Sequence, residues 1–126
     1  MSTAAPSRTL LFVDDDAGLR QYIAVALENT AWKVTLAAHG LEAMELYAPG
    51  KFDVVITDLN MPGMDGVGLT AAVKNFDPTQ PVAILTGGAS AEADPNRLQV
   101  ADILLGKPIS KKTLLSALES LVRARS

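Results

Sequence analysis

The chain contains no cysteine, which removes disulfides, thiolate metal sites and cysteine nucleophiles and makes a reducing compartment natural. No apolar stretch approaches the ~20 residues needed to span a bilayer, and residues 1–8 lack the apolar middle of a signal peptide. A cytoplasmic chain with no membrane insertion is therefore expected. Positive charge is not in excess: the formal net charge is −3, so the surface as a whole offers no electrostatic reason to bind nucleic acid. The basic residues Lys111, Lys112, Arg123 and Arg125 fit a solvated face of a closing helix. The single histidine, His39, stands before Gly40 at a loop and is isolated. It reads as a surface residue rather than a phosphoryl relay or metal ligand. Long linkers, low-complexity tracts and repeats are missing too.

What is present is an ordinary globular composition, 48% hydrophobic and 20% charged over 126 residues. That size supports one core without staples. The division expected is a flexible N-terminal tail over 1–8 and a single domain over 9–126. Short apolar runs at 10–13, 54–57, 82–85 and 103–105 suit strands covered on both faces, and residues 32–37, with Val34, Thr35 and Leu36, suit another. The β-rich third segment extends back to Phe52. Between them lie helical patterns. Leu19, Tyr22, Ile23, Ala26 and Leu27 form a stripe expected to face the core behind a cap at Asp16. Further helices are expected over 41–47, near 67–75, and after Ser110, where Leu114, Leu115, Leu118, Leu121 and Val122 share a face. Asp94-Pro95 suggests a cap and first helical position for a short helix over 95–100. Strands alternating with helices imply a doubly wound parallel α/β sheet of five strands with right-handed crossovers. Periodicity alone does not give the strand order.

The strand ends carry the chemistry. Asp14, Asp15 and Asp16 follow the first run, Asp58 the third, Thr86 the fourth and Lys107 the fifth. In an open parallel sheet the carboxyl ends share one rim, where ligands bind at the reversal of strand order. Each residue has a plain structural reading: the acids cap a helix, Asp58 sits in a turn, Thr86 bonds a nearby backbone group, and Lys107 is an exposed strand end. Together they form an all-oxygen acidic cluster of the kind Mg²⁺ accepts, with a lysine held beside it.

VDDD at 13–16, TDLNMPGMDG at 57–66, LTG at 85–87 and KP at 107–108 resemble the receiver domain of bacterial two-component response regulators, over about residues 9–122. Receiver domains are themselves the type example of the flavodoxin-like order 2-1-3-4-5, so that order, with five helices, is taken from the resemblance. The resemblance implies that Asp58 accepts a phosphoryl group from a sensor histidine kinase, with Asp14, Asp15, Asp58 and the backbone carbonyl of Asn60 holding Mg²⁺. Thr86 and Lys107 would engage phosphoryl oxygens, as fits a reaction governed by alignment and charge neutralisation. Lys107-Pro108 is compatible with the cis peptide often found there in the family. Such a domain is not an enzyme with a separate substrate. It catalyses only its own phosphorylation and dephosphorylation, and acts on a downstream target or a histidine phosphotransfer protein as a monomer or a phosphorylation-dependent dimer.

Some positions depart from the commonest pattern. Leu104 stands where many relatives carry a switching Tyr or Phe, which shifts attention to residues 87–100. Trp32 reads as a packing residue at the far end of its strand, and Met61 and Met64 as packing for the loop after Asp58. Other readings are a flavodoxin-type electron carrier, a Mg²⁺-dependent phosphatase with an aspartyl nucleophile, and a structural pseudo-receiver. The first wants a Ser/Thr/Gly-rich loop where this chain has three aspartates; the second wants its nucleophile on the first strand and a cap over its substrate; the third wants a missing acceptor, metal or lysine position.

Overall fold

The computed structural model describes residues 7–87 and 95–125. The elements run β1 (Arg8–Val13), α1 (Ala17–Ala26), β2 (Trp32–Ala37), α2 (Gly40–Leu46), β3 (Val54–Asp58), α3 (Gly66–Phe76), β4 (Val82–Thr86), α4 (Pro95–Leu98), β5 (Ile103–Gly106) and α5 (Lys111–Arg125). All strand pairings are parallel, in the order β2-β1-β3-β4-β5. Reversal of order places β1 and β3 side by side at the centre, with Val13 opposite Thr57. The strand that leads into Asp14 and the strand that ends in Asp58 are thus neighbours.

The central strands are apolar throughout because both faces are covered. Leu10, Phe12, Val54, Ile56, Ala83 and Leu85 point to one side and pack with Ile23 and Leu27 near α1 and with Leu114, Leu118 and Leu121 of α5. Leu11, Val13, Val55 and Val82 point to the other and meet Ala43, Tyr47, Leu69 and Val73 around α2 and α3. Each fully buried Leu, Ile, Val or Phe among them contributes ~1.5–3 kcal/mol relative to exposure. A smaller cluster joins Leu59 and Ile84 to Leu98, Val100 and Ala101, so α4 rests on the residue directly after Asp58.

Caps fix where the helices begin. Asp16 Oδ1 accepts from the N–H groups of Gly18 and Leu19 at 2.9 and 3.3 Å, and Ser110 Oγ accepts from Thr113 N–H at 3.1 Å. The α1 stripe is narrower than its spacing suggests. Ile23, Ala26 and Leu27 are buried, whereas Tyr22 is 42% exposed, because it stands over the open rim beside Pro108 and Ile109. The third strand starts at Val54, not Phe52; the Asp53 carboxylate instead accepts from Thr9 N–H at 2.8 Å and fastens the entry of β3 to β1. Helix α4 covers only four residues. The expected cap at Asp94, the rest of 88–94 within the segment 87–100, and residues 1–6 of the expected tail lie outside the described residues. No helix among the described residues is long and apolar enough to cross a membrane.

Candidate functional site

Three loops at the carboxyl rim build the site. The β1 ladder continues past its last strand residue, since Asp14 N–H donates to the Ala37 carbonyl at 3.1 Å. Asp14 then folds its side chain back: Oδ1 accepts from Asp16 N–H at 2.9 Å, which tightens the turn into α1. The other oxygen, Oδ2, is buried and receives no aligned hydrogen bond. Asp58 belongs to β3 itself, opposite Leu85. The chain leaves it through Leu59, whose N–H donates to the Leu85 carbonyl at 3.0 Å and whose own carbonyl accepts from Gly66 N–H at 2.8 Å. That six-residue excursion, 60–65, turns at Gly63, where φ is +80° and an L side chain would be strained.

Lys107 arrives from the third side. Its N–H donates to the Thr86 carbonyl at 2.8 Å, and the Lys107-Pro108 peptide is cis. Its ammonium stands 2.9 Å from Asp58 Oδ1 and 3.1 Å from Asp14 Oδ2. One carboxylate oxygen each from Asp14, Asp15 and Asp58 lies within 4.8 Å of the others. Asp14 is fully buried and Asp58 is 5% exposed, while Asp15 opens to solvent.

Burial pushes the Asp58 carboxyl above its ordinary pKa, and the charges of Asp14 and Asp15 add to that push while Lys107 opposes it. Burial by itself pulls Lys107 down, yet its bonds to Asp58 and Asp14 win and hold it above the ordinary lysine value. Lys107 is therefore a fixed cation. Three carboxylates against one ammonium leave the cluster short of positive charge, and Asp14 Oδ2 is buried with only the Lys107 ammonium facing it, outside hydrogen-bond alignment. The donor set is all oxygen, as Mg²⁺ prefers, so a divalent cation fits these residues.

Of the other residues singled out in the sequence, Thr86 ends β4 opposite Gly106 and is partly exposed. Asn60 is exposed in the turn after Leu59. Leu104 lies opposite Ile84 on β5 and is 49% exposed, away from the acids. His39 is exposed and caps α2, its Nδ1 accepting from Glu42 N–H at 3.2 Å. Met61 is buried with the α2/α3 core, and Met64 packs against it. Asp16 serves as the α1 cap. Three features went unread in the sequence: Arg20, which reaches back to the Asp14 carbonyl at 2.8 Å; Gly66, which touches the Asp58 backbone; and the Arg97–Asp65 ion pair at 2.9 Å. Gly66 closes the quoted motif at 57–66, but its close approach is a tertiary fact with no local signal.

A doubly wound sheet whose central strands deliver buried aspartates to a rim-held lysine is consistent with phosphoacceptor signalling. Residues 10–119 match the response regulator receiver domain family, and the chain belongs to it. It is similar to the response regulator receiver protein CpdR of Brucella abortus (strain 2308), 29% identical over 118 residues that make up 93% of this chain and 98% of that protein. The transcriptional regulatory protein GlrR of Escherichia coli (strain K12) is 36% identical over 111 residues, 87% of this chain but 25% of that protein. The chain spans a quarter to about half the length of the transcriptional regulators it matches. Among solved structures, the Vibrio cholerae chemotaxis protein CheY4 has 33% identity and a TM-score of 0.81, covering 91% of this chain and 98% of its own. A receiver domain protein from Clostridium thermocellum has 26% identity and a TM-score of 0.86, over 94% and 96%. Receiver domains interact with histidine kinases and are phosphoacceptors rather than enzymes acting on a separate substrate. The cluster of Asp14, Asp15 and Asp58 is of the type that forms their Mg²⁺ site.

Proposed function

We propose that the chain is a phosphorylation-dependent signalling switch whose acceptor is Asp58, charged by the phosphohistidine of a sensor kinase. The observation that carries this reading is the Lys107 ammonium 2.9 Å from Asp58 Oδ1 and 3.1 Å from the buried Asp14 Oδ2, which accepts no aligned hydrogen bond. An Asp58 carboxylate oxygen attacks phosphorus, an O–P bond forms, the N–P bond of the donor breaks, and the electron pair leaves with the imidazole. Asp14, Asp15, Asp58 and the Asn60 carbonyl would hold Mg²⁺, which when bound neutralises charge on the transferring oxygens. Lys107 pairs with one phosphoryl oxygen, and its fixed charge needs no reorganisation as the bond forms. Thr86 supplies a hydroxyl to another. A cleft of about 650 Å³ lined by Leu19, Tyr22, Gly87, Lys107 and Pro108 gives the donor its approach from the lysine side. Output then passes by protein contact to a downstream target or to a histidine phosphotransfer protein, in the cytoplasm.

The test is intact-mass measurement after incubation with acetyl phosphate and Mg²⁺. Wild type should gain one phosphoryl mass and Asp58→Asn none, and removal of Mg²⁺ with a chelator should stop the reaction. Equal labelling of the variant would move the acceptor elsewhere. Turnover of a small phosphate ester many times over would favour a phosphatase.

A further inference from the structure

Arg20 sits among acids: Asp14, Asp15 and Asp16 all lie within six positions of it, and it lines a cleft together with Asp15. A long cation so placed ordinarily pairs with a carboxylate. Among the described ion pairs none involves Arg20. Its guanidinium instead donates from Nη1 to the main-chain carbonyl of Asp14 at 2.8 Å, in a partly buried position. That carbonyl belongs to the residue whose N–H is held by Ala37, whose Oδ1 holds Asp16 N–H, and whose Oδ2 faces Lys107. Arg20 therefore completes the fastening of a turn in which Asp14 is tied at its N–H, at one side-chain oxygen and at its carbonyl. The peptide so held is the one joining Asp14 to Asp15.

We infer that Arg20 is a positioning residue that fixes the Asp14–Asp15 peptide so that both carboxylates converge with Asp58 on a divalent cation. This rests on the reading of that cluster as the cation site. Partners that orient ligands from behind are commonly worth 10–100-fold in metal affinity. Arg20 also carries a positive charge, and a nearby positive charge by itself repels a cation. The two roles predict opposite signs. If Arg20 acts by holding the peptide, its removal weakens Mg²⁺ binding; if it is only a neighbouring charge, its removal tightens binding.

The experiment is titration of the full chain with Mg²⁺, following backbone amide NMR shifts of Asp15, Asp16 and Gly18, for wild type, Arg20→Met, Arg20→Gln and Arg20→Lys. Thermal midpoints without Mg²⁺ run alongside to confirm folding. Arg20→Met, which keeps the aliphatic stem and loses the donor, should bind about tenfold more weakly. Arg20→Lys, which keeps charge and a donor, should recover most of the affinity, and Arg20→Gln, which keeps a donor without charge, should fall between wild type and Arg20→Met. Wild-type binding with an unchanged or tighter Arg20→Met would overturn the positioning role alone. No Mg²⁺ binding by wild type would overturn the cation site, and this inference with it. Should Arg20→Met fail to fold, the Gln and Lys variants still decide the sign.

Discussion

Gly66 and Asp58 meet backbone to backbone: a Cβ on Gly66 would fall 2.3 Å from the Asp58 carbonyl oxygen and 2.9 Å from the Leu59 Cα. Neither obstacle is the end of a flexible side chain, so α3 can begin against the acceptor strand only with glycine at its first position. Gly66→Ala gains a little helix propensity, at most ~1 kcal/mol. Forced overpacking against backbone costs ~1–3 kcal/mol or more. The variant should melt several degrees lower than wild type. It should also label more slowly with acetyl phosphate, because the displaced atoms are those of Asp58 itself. Wild-type melting and labelling would show that α3 can shift without disturbing the acceptor.

Much of this arrangement was legible in the sequence because buried parallel strands are written as uninterrupted apolar runs, and their ends as polar punctuation. The ends themselves were misjudged by a residue or two. Asp58 and Thr86 read as lying beyond their strands, yet each is in ladder register, opposite Leu85 and Gly106. Backbone pairing runs on past the last apolar side chain, because at the rim a polar side chain meets the charged groups of the site rather than the apolar core. Arg20 and Gly66 were illegible for a different reason. One acts through a side chain folding back six residues, the other through a missing atom, and neither leaves a periodic trace.

The raised pKa of Asp58 makes a stability prediction. Because burial, helped by the charges of Asp14 and Asp15, outweighs Lys107, the ionised carboxylate costs folding energy at neutral pH. The cost is absent below the unfolded value of about 3.9 and grows as pH rises through the raised folded pKa. Without Mg²⁺, Asp58→Asn should therefore melt higher than wild type at pH 7, by a few degrees, and the two should converge at pH 3.5. Added Mg²⁺ should narrow the gap from the wild-type side, since a ligand of the folded state raises its midpoint. A variant less stable than wild type at pH 7 would mean that Lys107 dominates the cluster.

Trp32 is a poor reporter of this chemistry. It is buried at the start of β2, opposite Arg8, whereas Ala37 at the other end lies opposite Val13. At ~3.3 Å per residue the strand separates Trp32 from the acidic rim by ~16 Å. Mg²⁺ should leave tryptophan emission almost unchanged while amide shifts of Asp14 and Asp15 saturate. A large quench that tracks those shifts would require the β2 end to move with the site.

The response to phosphorylation should travel through α4 rather than β5. Leu59, next to the acceptor, packs with Ile84 against Leu98, Val100 and Ala101, and Arg97 of α4 pairs with Asp65, the cap of α3, at 2.9 Å. Among the described residues, a small apolar cluster and an exposed ion pair join α4 to the acceptor loop, interactions of the kind that open at low cost. Leu104 is half exposed and has no polar tip with which to sense a phosphoryl group. With beryllofluoride and Mg²⁺ mimicking the aspartyl phosphate, amide shifts should concentrate between Gly87 and Ala101, although 88–94 lie outside the described residues. Arg97→Gln should enlarge the fraction already shifted before the mimic is added, because it removes an ion pair that holds α4 to the cap of α3 in this arrangement. Shifts confined to β5, with α4 unchanged and Arg97→Gln identical to wild type, would sink the α4 route and place the switch on the strand.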